Sequence, residues 1–445
     1  NPSVTWTFVG SSRFCARYSP PGFLFDVGGS SAFPEDKDML YVTAFLCSKP
    51  AYEFLKILNP TLNFQVGNIA DVPIIFPDDP NVRFQIESLA RSCIDIARRD
   101  WDSYETSWDF KRHPFLTYGT GASTVEEAFR RWQEFVWSEF REMKQNEEEI
   151  NRLFIELYGL DGQMTPEVSC DDVTICRADR NQDVRSFISY AVGCMFGRYS
   201  PDVEGIAFAG GEFDASNYKT FIPNEDGVIP ILDEEYFEDD IVSRFVEFVE
   251  TCFGKKSLDE NLNWIAKTLG MRAGESDRDA IRRYFLDEFY KDHVRMYRKR
   301  PIYWMFSSGK QKAFNALIYM HRYRPDTVEI VRTRYLLRLE EMIDEEIRRL
   351  EQSVERDALE TSHAQLHVKA QATKQLATVD RQRAKVSGQR TKINRELIKR
   401  KRQLDELREY DDNIRLLADG SVHINLDYGV AANYAKFKDV LRPIT

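Results

Sequence analysis

The chain has 445 residues, of which 42% are hydrophobic and 30% are charged, and its formal net charge at pH 7 is -11. This is an ordinary soluble composition, long enough for two to four domains, and no run of about eighteen apolar residues predicts a membrane span. The acidic surplus does not exclude a nucleic-acid partner, because the charge is unevenly placed along the chain.

Residues 1–115 predict a mixed region that contains both strands and helices. In residues 4–8 apolar and polar side chains alternate, and this period of two predicts a strand. Residues 22–28 form a short apolar run closed by glycine, which predicts another strand and a turn. Residues 82–109 carry apolar side chains at helical spacing and predict a long amphipathic helix.

Residues 116–294 predict a mainly helical domain. The clearest helix covers residues 124–157, where apolar side chains recur every three or four positions. Ser123 or Thr124, followed by an acidic residue three positions later, predicts a capping box at its start, and Gly159 predicts its end. Further helices are predicted over residues 233–253, 258–269 and 277–297.

Residues 295–326 stand out by their charge. From Arg295 to Arg324 the sequence has eight Lys or Arg, seven aromatic residues and no Asp or Glu. Basic groups interleaved with flat rings suit a phosphate backbone and its bases. A second interpretation stays open, in which residues 301–306 are a buried strand and the cations are its solvated flanks.

The same stretch also predicts a helix with an anion site at its start. Ser308 can cap a helix that begins near Gly309 and ends before Pro325. The free N–H groups at such a start, with Lys310 beside them, would bind an anion.

Residues 327–418 predict a long antiparallel helical hairpin, and residues 419–445 a short C-terminal tail. The hairpin stretch has one glycine and no proline, and its apolar residues step by three and four in two blocks. Arg400 occupies one position of the apolar seam. The seam is weak between Glu355 and Arg390, and we expect the turn of the hairpin there.

Two blocks of opposite charge lie far apart in the sequence. Residues 225–260 carry twelve Asp or Glu against three Lys or Arg, and residues 381–408 carry eleven Lys or Arg against three Asp or Glu. An asymmetry of this size predicts separate faces or separate partners, although each block alone is more often a solvated surface.

No catalytic constellation is convincing. Ser308–Lys310 is not a phosphate-binding loop, because Trp304 stands where that motif needs glycine, and residues 59–62 lack the second proline and the ring of an amino-methyltransferase loop. The histidines and the seven scattered cysteines predict no metal site, no disulfide framework and a cytoplasmic location. The chain opens on Asn1 without a signal-peptide pattern, and we expect it to be a piece of a longer protein.

Several stretches of the sequence are similar to one known family. They are Arg17–Gly29 (RYSPPGFLFDVGG), Asn59–Gly67 (NPTLNFQVG), Arg98–Trp108 (RRDWDSYETSW), Ile188–Gly197 (ISYAVGCMFG), Arg298–Arg324 and Asn425–Val430 (NLDYGV). From end to end the chain resembles the C-terminal part of the adenine-specific DNA methyltransferases of BREX phage defence, the phage growth limitation protein X family.

The resemblance implies transfer of a methyl group from S-adenosylmethionine to the N6 amine of an adenine that is flipped out of the DNA duplex. The family's Asn-Pro-Pro-aromatic loop and glycine-rich cofactor motif do not occur here. The resemblance therefore places catalysis and cofactor binding in a preceding part and assigns no catalytic, cofactor or metal residue in this chain. Residues 1–115 then resemble a target-recognition region, and the hairpin resembles the spacer helices of type I specificity subunits.

The resemblance strengthens the interpretation of the basic-aromatic stretch as a contact with double-stranded DNA. The arginines would clamp phosphates or a guanine edge and the lysines would neutralise phosphate, whereas Tyr303 and Trp304 are expected in the core. The predicted DNA-binding residues are Arg298, Lys299, Arg300, Ser308, Lys310, Lys312, Arg322 and Arg324. An alternative function is an interaction scaffold, in which the hairpin docks other phage-defence proteins and the acidic block contacts a basic partner.

Overall fold

The structure is a computed structural model that describes residues 1–10, 14–368, 376–420 and 422–444, with side chains described outside residues 357–390. The chain packs as two compact units. Unit 1 comprises residues 1–110, 117–120 and 128–179, and unit 2 comprises residues 111–116, 121–127 and 180–445. The sheets and helices given below confirm the predicted α+β class, and the five-part division of the sequence stays a prediction.

Unit 1 contains an antiparallel sheet in the order β2-β1-β3. Its strands are β1 (Ser3–Thr7), β2 (Ala16–Ser19) and β3 (Gly29–Ala32). Val4 lies opposite Tyr18 on one side and Ala32 on the other. Val4 and Trp6 are buried, so the predicted alternation is confirmed.

The strand predicted over residues 22–28 is wrong. This segment is the connection between β2 and β3, and its apolar side chains face solvent, with Leu24 100% exposed. The carboxylate of Asp26 accepts hydrogen bonds from the N–H groups of Gly28 and Gly29 at 2.8 and 3.0 Å. This local turn takes up backbone donors that a strand would have offered to a neighbour.

The remaining secondary structure of unit 1 is helical. The helices are α1 (Met39–Cys47), α2 (Lys49–Leu58), α3 (Val66–Ala70), α4 (Pro80–Asp102) and α6 (Val125–Leu157, counted in this unit from residue 128); the single turn α5 (Pro114–Thr117) precedes α6. The core of unit 1 joins Trp6 of the sheet to Phe45, Ile86 and Phe154 on the helices.

The predicted start and end of α6 are confirmed, whereas α4 ends at Asp102, seven residues before the predicted end at 109. Asp79 precedes α4 and accepts a hydrogen bond from the N–H of Asn81 at 2.8 Å. At the start of α6, the hydroxyl of Thr124 accepts a hydrogen bond from the N–H of Glu127 at 3.1 Å. The Glu127 carboxylate in turn accepts from the N–H of Ser123, at 3.0 Å. Gly159, with φ +63°, ends the helix as the sequence predicts.

Unit 2 begins with helices that surround a central apolar segment. They are α7 (Arg180–Met195), α8 (Ile241–Phe253), α9 (Leu258–Thr268), α10 (Asp277–Tyr284) and α11 (Tyr290–Met296), with a π-helical turn at Phe285–Phe289 between the last two. Asp240 caps α8, which therefore starts eight residues after the predicted position at 233. From Phe187 to Met195, α7 is buried on all sides.

Unit 2 also contains a second antiparallel sheet, in the order β4-β6-β5. Its strands are β4 (Val228–Pro230), β5 (Tyr303–Ser307) and β6 (Asn315–Tyr319), and Trp304 lies opposite Ile318. The helix predicted from residue 309 onward is therefore wrong. Residues 313–320 are all buried, and a continuous apolar run has no period that separates a covered strand from a buried helix.

The predicted antiparallel hairpin is confirmed. After α12 (Thr327–Ile330) and a π-helical segment (Val331–Leu336), the helices α13 (Leu337–Val368) and α14 (Leu376–Asp419) run in opposite directions. Arg332 pairs with Asp411 at 2.6 Å near one end, and Lys401 with Glu351 at 2.6 Å further along. The connection at 369–375, where the predicted turn falls, lies outside the described residues.

The base of the hairpin belongs to the core of unit 2. Buried residues of α13 and α14, among them Leu339, Ile343, Leu407 and Ile414, form one cluster with the sheet. The C-terminal helix α15 (Gly429–Tyr434) packs on the same cluster through Tyr434. The two ends of the basic-aromatic stretch are therefore positioned by a strand pair that the hairpin covers.

Candidate nucleic-acid interface

The β5–β6 pair divides the eight predicted residues between its two ends. Arg298–Arg300 precede β5, and Arg322 and Arg324 follow β6; the N–H of Met320 donates to the Ile302 carbonyl at 3.0 Å and closes this end. Ser308, Lys310 and Lys312 lie in the turn at the opposite end. Five-residue strands separate the two ends by roughly 15 Å. The eight residues therefore do not form one contiguous site.

The turn at residues 308–313 already binds a carboxylate of the protein itself. The hydroxyl of Ser308 donates to the carboxylate of Glu406 at 2.7 Å. The N–H groups of Gln311 and Ala313 donate to the same carboxylate at 2.8 and 3.2 Å. The predicted anion site at a helix start is thus corrected in two ways: no helix begins here, and Glu406 of α14 occupies these donors.

Three of the other predicted cations have partners within the fold. Arg322 is half-buried and donates to the carbonyls of Asn224 and Glu225 at 2.6 and 2.8 Å. Lys312 pairs with Asp287, and Arg324 pairs with a neighbouring aspartate at 3.2 Å. These contacts hold the half-buried Arg322 within the fold, whereas the side chains of Lys312 and Arg324 are 40% and 54% exposed and form surface ion pairs.

Five of the seven aromatic residues of the stretch are core residues, and the other two, Tyr297 and Tyr323, are partly exposed. Tyr303, Trp304, Phe306, Phe314 and Tyr319 are fully buried in the sheet and its surroundings. This confirms the expectation that Tyr303 and Trp304 lie in the core, and it confirms the interpretation of residues 301–306 as a buried strand. Base stacking on these rings is therefore not part of the site.

Four of the predicted cations remain open. One is Lys310, and the other three, Arg298, Lys299 and Arg300, form a tight turn after α11, which we call the basic turn (residues 297–300). The N–H of Arg298 donates to the carbonyl of Arg295 at 3.0 Å, and that of Lys299 to Val294 at 2.8 Å. Arg298 and Lys299 have φ values of +49° and +62°. Among the described residues, no acidic side chain pairs with Arg298, Lys299 or Arg300, and all three are exposed.

A buried histidine fastens the basic turn to β5. Nε2 of His293 accepts hydrogen bonds from the N–H groups of Ile302 and Tyr303 at 3.2 and 3.1 Å. Burial, with a smaller contribution from the Arg198 guanidinium, lowers the pKa of His293 to about 3. The imidazole is therefore neutral at physiological pH, with its proton on Nδ1. The sequence offers no signal for this role, because His293 stands alone among helical residues.

The two charge blocks meet inside unit 2. Arg400 of the basic block is 2% exposed and pairs with Asp233 at 3.1 Å and with Glu234, both in the acidic block. Lys399 also pairs with Asp233, at 2.8 Å. Arg400 further pairs with Glu346, at 3.0 Å. At these residues the expectation of separate faces or partners is corrected, since the blocks neutralise each other.

No helix of the described residues is long and apolar enough to cross a bilayer. In the same part of the chain, no group of three or more His, Cys, Asp or Glu is arranged to hold a metal ion.

Comparison with known proteins gives two similar sequences. The chain is 42% identical to the adenine-specific methyltransferase PglX of Lacticaseibacillus casei (strain Zhang), over 98% of this chain and 34% of that protein. It is 34% identical to the adenine-specific methyltransferase BrxX of Escherichia coli O9:H4 (strain HS), over 99% of this chain and 36% of that protein. The chain thus spans about a third of the length of these relatives. No protein-family profile matches it.

Proposed function

We propose, from the homology of this chain to the C-terminal part of the PglX and BrxX proteins, that it is the DNA-recognition part of an adenine-specific DNA methyltransferase. The whole protein would methylate the N6 amine of adenine in host DNA as part of phage defence. The methyl donor, S-adenosylmethionine, would be bound by a part of the protein outside these residues. The role of this chain would be to hold the duplex so that the target base can be flipped out.

The basic turn is the observation that carries the proposal. Arg298 and Lys299 adopt left-handed backbone conformations, which cost an L-residue with a Cβ roughly 1–2 kcal/mol each. Glycine or asparagine would fill these positions at lower cost. A strained, exposed and unneutralised pair of cations is costly for folding alone and is typical of a residue pair that serves a ligand.

The chemistry of the turn suits a phosphate backbone. Two guanidinium groups and one ammonium group project from a backbone fixed by three hydrogen bonds and by His293. Such groups are donors only, carry full charge at neutral pH and bind phosphate oxygens with charge-assisted hydrogen bonds. Lys310, at the other end of the strand pair, is exposed and would reach a different phosphate.

The test compares duplex binding by the wild type and by a charge-removed turn. In the variant Arg298→Asn, Lys299→Gly, Arg300→Gln, the first two replacements favour the left-handed backbone, so the fold is kept. A control with the same charge change is Arg348→Gln, Arg349→Gln, Lys401→Gln on the hairpin, where all three cations pair with acidic neighbours.

We expect fluorescence anisotropy to show that the wild type binds a labelled duplex with a steep dependence on salt. Loss of three phosphate contacts should lower the slope of log affinity against log salt by about 2.7, at about 0.9 for each phosphate. The control should bind as the wild type does. Equal weakening by both variants, or binding that salt does not affect, would contradict a role of the basic turn in DNA contact.

A second candidate function, an interaction scaffold, is favoured by the length of the hairpin. Among the residues of α13 whose side chains are described, which end at residue 356, the last buried one is Ile347, and the helix itself continues to Val368, about 32 Å further at 1.5 Å per residue. Replacing residues 357–390 by a short turn should abolish co-purification of other phage-defence proteins and leave duplex binding unchanged. Retention of those partners would exclude the hairpin as their docking site.

A further inference from the structure

Arg198, three residues beyond the end of α7, is a buried cation without an acidic partner. Its side chain is 9% exposed. Nε donates to the hydroxyl of Tyr199 and Nη1 to the hydroxyl of Tyr319, each at 3.1 Å. Within the described part of the chain, no carboxylate lies within ion-pair distance of this guanidinium. Two neutral hydroxyls are therefore its hydrogen-bonding partners.

Two other covered arginines in unit 2 are neutralised by carboxylates. Arg400 is 2% exposed and pairs with four carboxylates, which are those of Asp233, Glu234, Glu346 and Glu396. Arg282 makes two hydrogen bonds to the carboxylate of Asp240, at 2.7 and 2.8 Å. A buried charge that lacks a counter-ion is costly, and the fold supplies counter-ions at these sites. Arg198 departs from that pattern.

The tyrosines around Arg198 do not supply the missing negative charge. The hydroxyl of Tyr319 accepts from Arg198 and donates to the carbonyl of Phe208 at 3.1 Å, so it keeps its proton. Burial raises the pKa of Tyr319 above its usual value. The phenol rings hold the guanidinium plane in place, and Cζ of Arg198 lies 5.2 Å from the centroid of the Tyr199 ring. The result is an oriented cation with unused donor capacity.

Two histidines beside Arg198 leave the charge of the cluster at plus one. Burial first, and the Arg198 guanidinium second, lower the pKa of His293 to about 3 and that of His321 to about 4. Both rings are therefore neutral at physiological pH. Nδ1 of His321 is buried and has no hydrogen-bond partner among the described residues. Nδ1 of His293 is likewise buried without a hydrogen-bond partner among the described residues, so each of the two imidazoles leaves one polar atom unsatisfied.

The cluster lies at the same end of the β5–β6 pair as the basic turn. The His321 ring lies 4.9 Å from that of Tyr319, at the end of β6. The ring of Tyr297, the first residue of the basic turn, lies 4.7 Å from that of His293. Arg198 interacts electrostatically with both histidines and with the Tyr297 hydroxyl. An anion drawn to the basic turn would thus meet a second, more covered cation.

We propose that Arg198 and His321 form a site for a phosphate oxyanion. Nε and Nη1 each donate one hydrogen bond to a tyrosine, so Nη2 and the second hydrogen of Nη1 remain for phosphate oxygens, and the imidazole offers one further nitrogen. The ligand is either a phosphodiester of the DNA backbone or a free phosphate. The first of these sources rests on the proposed function, whereas the anion site itself does not.

The first experiment uses inorganic phosphate as the probe and the full chain as the protein. Thermal unfolding is followed as phosphate is titrated, with sodium chloride as the reference at equal ionic strength. We expect a saturable rise of the midpoint in the wild type, because a ligand of the folded state stabilises it by mass action. Arg198→Met should lose this rise, with at least a ten-fold loss of phosphate affinity.

Two further variants make the result specific. Arg198→Lys keeps the charge and should keep a weaker response, and Lys401→Met removes a hairpin cation that pairs with Glu351 and should respond as the wild type does. The midpoint without phosphate does not decide the question, because the tyrosine hydrogen bonds also contribute to it. If phosphate and chloride act equally on the wild type, or if Arg198→Met responds as strongly as the wild type, the site does not exist.

The second experiment identifies the source of the phosphate. Weakening of duplex binding by about ten-fold in Arg198→Met, with a salt slope reduced by about 0.9, would assign the site to the DNA backbone. Unchanged duplex binding with a lost phosphate response would assign it to a free phosphate. A wild type that responds to phosphate but does not bind the duplex would keep the Arg198 site and overturn the proposed function. A wild type that binds the duplex with a steep salt slope but does not respond to phosphate would do the reverse, so the two failures are distinguishable.

Discussion

Replacing Arg400 by methionine should destabilise the base of the hairpin strongly. Arg400 joins α14 to Asp233 after β4 and to Glu346 on α13, at 3.1 and 3.0 Å. Removal of one member of a buried ion cluster costs about 3–5 kcal/mol, because the remaining charges lose their counter-ion. Lys399 still pairs with Asp233, and the glutamates of the cluster are partly exposed. We therefore expect a loss at the lower end of this range, about 3 kcal/mol.

The assay is native-state hydrogen exchange of peptides from α13, α14 and β4, because a chain of two compact units need not unfold in one step. The matched control is Arg349→Met, whose side chain is 75% exposed and pairs with Glu345 one turn away. Such a pair contributes about 0.3–0.5 kcal/mol. A loss of stability below about 1 kcal/mol for Arg400→Met would refute the reasoning, because Arg400 would then stabilise the hairpin by packing alone. A double-mutant cycle that combines Arg400→Met with Asp233→Asn measures the coupling energy between these two side chains directly.

Three further changes test local features of unit 2. Burial first, and the nearby Asp411 second, raise the pKa of Glu340 to about 7. Between the ordinary pKa of a glutamate and pH 7, Glu340 is therefore protonated in the folded state and ionised in the unfolded state. The free energy of unfolding consequently falls as pH rises through this range. Glu340→Gln should remove this fall and stabilise the protein at pH 8 by on the order of 1 kcal/mol, a value discounted for the partial exposure of the side chain. Urea unfolding of the wild type and the variant at pH 5 and pH 8 measures the effect, and the same pH dependence in both proteins would contradict it. Glu406→Ala leaves the donors of the 308–313 turn without an acceptor and should cost about 1–3 kcal/mol, whereas an unchanged urea midpoint would show that water replaces the carboxylate. Gly193→Ala places a methyl group 2.5 Å from the Tyr199 ring and should cost about 1–3 kcal/mol, and a thermal midpoint equal to that of the wild type would show that the ring moves aside.

The elements that the sequence predicts correctly are those that are half-buried. The helix at 125–157 and, over the residues whose side chains are described, the base of the hairpin each present one apolar face and one polar face, so the period of the pattern reports the structure. Where burial is complete or absent, the period disappears. Residues 313–320 are covered on both faces and residues 22–28 on neither, and these are the segments where the predictions fail.

The candidate site was predictable as a charge pattern but not as a surface. A run of cations in the sequence does not show which of them will bond to a carbonyl or carboxylate that is distant in the sequence. Arg322 reaches carbonyls 97 and 98 residues away, and Arg400 reaches Asp233 across 167 residues. Arg198 has the opposite outcome, since it lies in an apolar segment and yet remains without a counter-ion. Only the fold separates neutralised cations from open ones.

The basic turn gives a last prediction in which stability and binding change in opposite directions. At the φ of +62° found for Lys299, a Cβ costs roughly 1–2 kcal/mol, while glycine costs about 0.5–1 kcal/mol in backbone entropy. Lys299→Gly should therefore stabilise the chain by up to about 1 kcal/mol in thermal unfolding and weaken duplex binding at the same time. Lys310→Gly removes one positive charge at another exposed position, and its change in duplex binding is compared with that of Lys299→Gly to measure the effect of charge. If Lys299→Gly left duplex binding unchanged, the lysine would not serve a DNA contact, and the strained backbone would have to be explained by folding alone.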